Sequence, residues 1–320
     1  MKFSRMSWAL ALVGAALGVA LALPVSAQGG PAPAAPAAAV PPELPLKDFF
    51  RNPERAYFRL SEDGRWLGTM QPAPGQPGAV PRRNVFVQGL KDGVPQGTPR
   101  QLTFETARDI SAYRWKGNAT LLYEKDFGGD ENFHVVAVDA ASGKVRDLTP
   151  WEGVRASIVD ELIDDPAHIL VSHNRRDRKL FDVVRLNVKT GAQTVLATNP
   201  GNVTEWLTDH QGRVRIGVAS DGVNNTVLYR GAQGGEFKPI IHTDFRTAVA
   251  PLFFDRSNTK LYATSNRGRD KSALVLLDPA QPDVETVVFE HPQVDIYTAV
   301  WSRVQKKLTQ AVYQTDRTHR

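Results

Sequence analysis

The sequence predicts an all-β protein, a β-propeller of four-stranded antiparallel blades: five blades and the start of a sixth, read as an incomplete seven-bladed ring. Three observations predict it. The stretch Ile110–Thr149 holds four short extended runs separated by Gly, Asn and Asp turns, the pattern of one antiparallel meander. A lone sheet of that size is marginal in water and needs neighbours. The neighbours are the second observation. The turn after the first run recurs at Gly64, Gly117, Pro166, Gly212, Asn258 and Gln305, at intervals of 53, 49, 46, 46 and 47 residues, near the length of a propeller blade. The third is a second turn in phase with the first: Ser142-Gly143-Lys144, Thr190-Gly191-Ala192, Gly234-Gly235-Glu236 and, more loosely, Pro279-Ala280-Gln281.

Taken in order, Lys2 and Arg5 precede an apolar run from Trp8 to Leu23, broken by Pro24 and followed by Val25-Ser26-Ala27. Sixteen apolar residues are short for a membrane span of about 20. Residues 1–27 therefore read as a signal peptide cleaved after Ala27, and the mature chain as periplasmic or secreted. Residues 28–46 are a Pro/Ala-rich linker, extended because proline fixes φ and removes amide donors. Residues 47–320 are the propeller, entered through a helical turn or two at Lys47–Arg55.

The first blade takes strands at Tyr57–Leu60, Trp66–Met70, Asn84–Gly89 and Gln101–Phe104; a Pro/Gly-rich insertion, Pro72–Pro81, explains its longer interval. The second takes Tyr113–Trp115, Leu121–Tyr123, His134–Asp139 and Lys144–Leu148. The third takes Ser157–Leu162, Ile169–Ser172, Asp182–Asn187 and Gln193–Ala197. The fourth takes Thr204–Leu207, Val214–Ala219, Thr226–Arg230 and Phe237–Ile241, and the fifth Leu252–Asp255, Leu261–Thr264, Ala273–Asp278 and Glu285–Phe289. The sixth has Tyr297–Trp301 and Leu308–Tyr313 before Arg320, two strands short of a blade, so the expectation is a truncated ring with an exposed edge.

Composition fits a globular chain, 42% hydrophobic and 23% charged. Without Lys2 and Arg5 the formal charge falls from +5 to +3, from 37 basic against 34 acidic residues. The densest basic cluster, Arg175-Arg176-Asp177-Arg178-Lys179, contains its own acid and reads as a solvated loop, so no nucleic-acid partner is expected, nor a membrane partner after signal cleavage. The absence of cysteine excludes disulfides, thiolate metal sites and a cysteine nucleophile.

Two motifs carry a family resemblance. Ser61-Glu62-Asp63-Gly64-Arg65-Trp66-Leu67 resembles the S-P-D-G-[KR]-x-[IVL] opening of the propeller in prolyl oligopeptidase-family (S9) serine peptidases, with Glu62 in place of proline. Asp126-Phe127-Gly128-Gly129-Asp130-Glu131-Asn132 resembles the D-x-x-G-D-E-N signature of their bacterial acylaminoacyl-peptidase and dipeptidyl-peptidase branch, and Arg146-Asp147-Leu148-Thr149-Pro150 its "RDLTP" continuation. The resemblance covers Leu46 to about Arg320. It implies a substrate-gating propeller that partners an α/β-hydrolase domain bearing a Ser-Asp-His triad, acting on short peptides.

No catalytic residue is carried over. The triad serine needs the G-x-S-x-G elbow, and no serine here, Ser142 and Ser220 included, has glycine two residues away on both sides. The chain alone is expected to be inactive, with no cofactor and no metal. His168 and His173 lie five apart, on opposite faces of a strand, and no metal-ligand spacing appears. Asn118, Asn202 and Asn224 open glycosylation-type sequons that equally suit turns, and Trp115, Trp206 and Trp301 recur in first strands as blade packing. The substrate-binding candidates are Asp126, Asp130 and Glu131, acids on a Gly-hinged loop suited to a peptide's N-terminal ammonium. The competing reading makes Asp130 and Asn132 turn caps.

Two other functions stay open at this point. One is a standalone TolB-like envelope propeller that binds protein partners. The other is a propeller hydrolase or lactonase with acids converging at the axis, near Asp160, Glu161, Glu205, Asp255 and Asp295.

Overall fold

The computed structural model describes residues 43–50, 53–74 and 80–320, in two compact units divided after Arg51. The expected signal peptide and most of the Pro/Ala linker lie outside the described residues, as does the middle of the Pro72–Pro81 insertion. The described part of the first unit is one helical turn, α1 (Leu46–Phe49), with every side chain exposed.

The second unit is a series of antiparallel meanders. The first sheet is β1 (Ala56–Leu60), β2 (Trp66–Pro72), β3 (Arg83–Lys91) and β4 (Val94–Gln101). The second is β5 (Tyr113–Lys116), β6 (Thr120–Lys125), β7 (His134–Asp139) and β8 (Val145–Asp147); the third is β9 (Ala156–Asp160), β10 (His168–Asp177), β11 (Leu180–Asn187) and β12 (Gln193–Ala197). The fourth is β13 (Val203–Thr208), β14 (Val214–Ser220), β15 (Asn225–Tyr229) and β16 (Lys238–Thr243). The fifth is β17 (Val249–Phe254), β18 (Leu261–Ser265), β19 (Ala273–Asp278) and β20 (Gln281–Phe289). The sixth is β21 (Ile296–Ser302), β22 (Lys307–Gln314) and a short β23 (Thr318–His319). Within each sheet, strands pair in chain order.

Burial explains why the middle strands are continuous apolar runs. Leu121 packs with Met70, Val85 and Val87 of the first sheet, whereas its neighbour Leu122 packs with Ile169 and Val171 of the third. Ile169 and Val171 face the second sheet; Leu170 between them faces Trp206 and Val214 of the fourth. Ile216 and Val227 then meet Leu261, Ala263 and Val275 of the fifth. Each sheet is thus a slice between two neighbours, and the period-2 alternation of side chains feeds two cores at once. At about 1.5–3 kcal/mol per fully buried large apolar side chain, these shared cores hold the blades together. First strands meet first strands (β1 with β5, β9 with β13, β13 with β17, β17 with β21), so they form the innermost layer, the arrangement of a propeller.

The phased turns are real backbone features: Gly64, Gly117, Gly212 and Asn258 have φ of 68°, 57°, 70° and 59°, and in the sixth sheet Lys306 takes the role expected of Gln305. Three elements differ from expectation. The sixth sheet carries a third strand, the two-residue β23 paired with the end of β22, where only two strands were expected. The outer strand of the first sheet is Val94–Gln101, not Gln101–Phe104. Asp92 and Gly93, at φ 52° and 77°, make a tight hairpin that pairs Val94 with Lys91, while Thr103 leaves the ladder to accept a bond from the Val85 amide at 2.8 Å. The basic cluster at 175–179 is exposed, as expected, but more ordered than a loop. It is the tip of a β10–β11 hairpin, where Arg176 forks onto Asp182 at 2.7 and 2.8 Å.

Candidate functional site

The acidic loop between β6 and β7 is wound by three residues of positive φ, Gly128, Gly129 and Glu131 (72°, 97° and 59°). Its three acids do not converge. Asp126 is nearly buried and pairs with Arg108 at 2.9 Å. Asp130 accepts the amides of Asn132 at 3.0 Å and Phe127 at 3.3 Å, and the Asn132 side-chain amide at 3.2 Å. The Asn132 backbone bond above all holds the Asp130 carboxyl below its usual range. Glu131 is exposed and has no ion-pair partner among the described residues. Behind the loop, Phe127 stands edge-on to His134 at 4.7 Å beneath Lys125, and His134 bonds Asp147 at 2.7 Å. The loop is therefore held by its own polar groups, and Glu131 is the one of the three acids without a partner among the described residues.

The larger concavity lies on the axis. A cleft of about 1450 Å³ is lined by first strands of the second to sixth sheets, by turns that follow them and by the loop after β15. A first-to-second-strand turn and a second-to-third-strand loop leave opposite ends of a sheet, so the cleft's turn-lined end and the Asp126–Asn132 loop belong to opposite faces of the blades. Most acids proposed for an axial site are already engaged. Asp160 accepts the Leu162 amide at 2.8 Å and the Thr208 hydroxyl; Glu161 pairs with Arg114 at 3.2 Å; Lys116 donates to the Glu161 and Leu162 carbonyls. Asp255 accepts the Thr259 and Lys260 amides, and Asp295 the Ser272 amide at 2.7 Å. Glu205 alone of these has no partner among the described residues. Its side chain is exposed on the cleft, where solvent tempers the effect, and partial desolvation by the surrounding protein raises its carboxyl above the usual range. No group of three or more metal-ligating side chains occurs among the described residues. His168 bonds Asp165 at 2.9 Å, while His173 lies apart, beside Trp151 and Gln193.

The facing wall is cationic and aromatic. Asp209 is buried and holds Arg213 and Arg215, the latter at 3.0 Å. Arg230 is half-buried with no carboxylate partner among the described residues; its N–H groups donate to the Val214 and Leu196 carbonyls, and desolvation lowers its pKa. His210 donates its Nε2–H to the Phe254 carbonyl at 2.9 Å and stacks on Trp301 at 4.5 Å. The first-strand tryptophans act as ties between blades: Trp115 donates to the Arg59 carbonyl at 3.1 Å and Trp206 to Phe181 at 3.0 Å. Sequence reading missed this cationic wall. Its signal was in the repeat, since Arg213, Arg256, Arg303 and Lys306 all fall in first-to-second-strand connections.

Comparison with known proteins agrees with this architecture. The chain is 33% identical over 296 residues to dipeptidyl aminopeptidase BIII of Pseudoxanthomonas mexicana, an alignment covering 90% of this chain and 40% of that protein. A structure from a mechanistic study of two prolyl endopeptidases superposes with a TM-score of 0.57 at 11% identity, covering 81% of this chain and 39% of that one. Dipeptidyl peptidase 4 of Porphyromonas gingivalis gives 0.51 at 13% identity, covering 82% and 44%. These two likenesses speak to fold alone. No family model matches the chain. The chain spans about 40% of the length of the dipeptidyl aminopeptidase it matches. Motifs, blades and sequence relationship together make this chain a β-propeller of the prolyl oligopeptidase (S9) family of serine peptidases.

Proposed function

We propose that this propeller is the non-catalytic, substrate-selecting part of an exported S9 serine peptidase, one that admits short peptides and works with an α/β-hydrolase domain supplying the triad. The observation that carries this reading is the 33% identity to a dipeptidyl aminopeptidase along nearly the whole chain. The Lys2–Ala27 pattern supports export. Absence of the G-x-S-x-G elbow from these 320 residues supports a role in selection rather than in chemistry.

Within that role, Glu131 is the ammonium contact. Arg108 neutralises Asp126 and the loop's own amides occupy Asp130, which leaves Glu131 exposed on a loop they hold still. The test is calorimetric titration of the chain with a short peptide, its N-acetyl form, and the Glu131→Gln variant. The free-amine peptide is expected to bind about tenfold tighter than the acetylated one, and the variant to lose that difference. Equal binding of both peptides by the unaltered chain would remove the ammonium contact.

A further inference from the structure

We propose that the cationic wall of the axial cleft is a site for the C-terminal carboxylate of a short peptide, with the peptide's last side chain seated on Trp301 and Phe253. This rests on the peptide-selecting reading above, but on different residues at the other end of the blades.

Three observations converge on it. Arg256, Arg303 and Lys306 line the cleft from the turns of the fifth and sixth sheets, are exposed, and form no ion pair among the described residues. Arg230, half-buried in the same lining, donates to main-chain carbonyls and has no carboxylate partner among the described residues, so it adds positive potential to the cleft. Beside these cations the wall is aromatic. Phe253 lies 5.7 Å from the Trp301 ring, and Trp301 is fixed by its stack on His210. An anion-binding rim next to a rigid apolar floor suits a ligand whose charge adjoins an apolar group, as a peptide's carboxyl end does.

The rest of the cleft narrows the ligand class. Asp164 and Glu205, on the third and fourth sheets, line the same space without ion-pair partners among the described residues. They would repel a nucleic acid or any other polyanion, while a single carboxylate reaches the cations alone.

The experiment titrates the full chain with Ala-Ala-Phe and with Ala-Ala-Phe-amide at matched ionic strength, and repeats both on R256A/R303A. Both arginines are exposed, so the variant should keep the melting temperature of the unaltered chain. The free acid is expected to bind about tenfold tighter than the amide, and the difference to vanish in the variant. Equal affinities in the unaltered chain, a difference that survives in the variant, or no binding of either peptide would each overturn the site. The readout is separate from the ammonium contact: amidation tests this wall, whereas N-acetylation tests Glu131.

Discussion

Glu205 shows how much of a site depends on a single side chain's surroundings. In the sequence it is one of several acids near a first strand; in the structure its neighbours Asp160 and Glu161 are bonded away and it is left facing the cleft. Its folded pKa lies above the unfolded value, so ionisation costs the folded state more than the unfolded one. The stability held by the protonated form is present below the unfolded pKa, about 4.3, and is lost as pH rises through the folded value. Glu205→Gln should therefore melt with the unaltered chain near pH 4 and above it at pH 7, in thermal scans across that range. A melting temperature lowered at pH 7 but not near pH 4 would show instead that the carboxylate makes a stabilising contact. The three loop acids teach the same lesson: Asp126, Asp130 and Glu131 look alike in sequence, and only the position of Arg108 and the turn amides separates them.

At the scale of elements, strand existence was legible because each middle strand must feed two cores, which leaves a dense apolar signature such as Ile169–Val171. Strand ends were less so. The outer strand at 94–101 is polar and exposed along nearly all its length, so hydrophobic patterning says nothing about it, and the readable signal was the Asp92-Gly93 turn. The far end of the β10–β11 hairpin, past Ser172, was hidden for a different reason. A run of four basic residues suggests solvent, yet Arg176 binds Asp182, whose side chain is 8% exposed and also accepts the Asn199 amide at 2.7 Å. Burial pushes Asp182 up, but the Arg176 fork and that amide outweigh it, and the net shift is downward. A lowered acid contributes stability above its unfolded pKa and loses it as pH falls through the folded one. Asp182→Asn should then cost about 2 kcal/mol at pH 7 in urea unfolding, with the deficit shrinking below about pH 4. A pH-independent deficit would mean that shape rather than charge holds the hairpin.

For the molecule as a whole, the sequence carried the architecture in its 46–53-residue spacing, while the cleft was invisible because its lining comes from five separate blades. No linear motif joins Arg230, Arg256 and Arg303; only the fan of sheets does. In its proposed role the chain selects short peptides and has no chemistry of its own. The most direct test incubates the purified chain with a short unblocked peptide and, separately, with a folded protein, follows binding by calorimetry, and analyses the recovered peptide by mass spectrometry. Saturable binding of the peptide, its recovery intact, and no binding of the folded protein are the expected results. Cleavage of the peptide, or failure to bind it, would contradict the account.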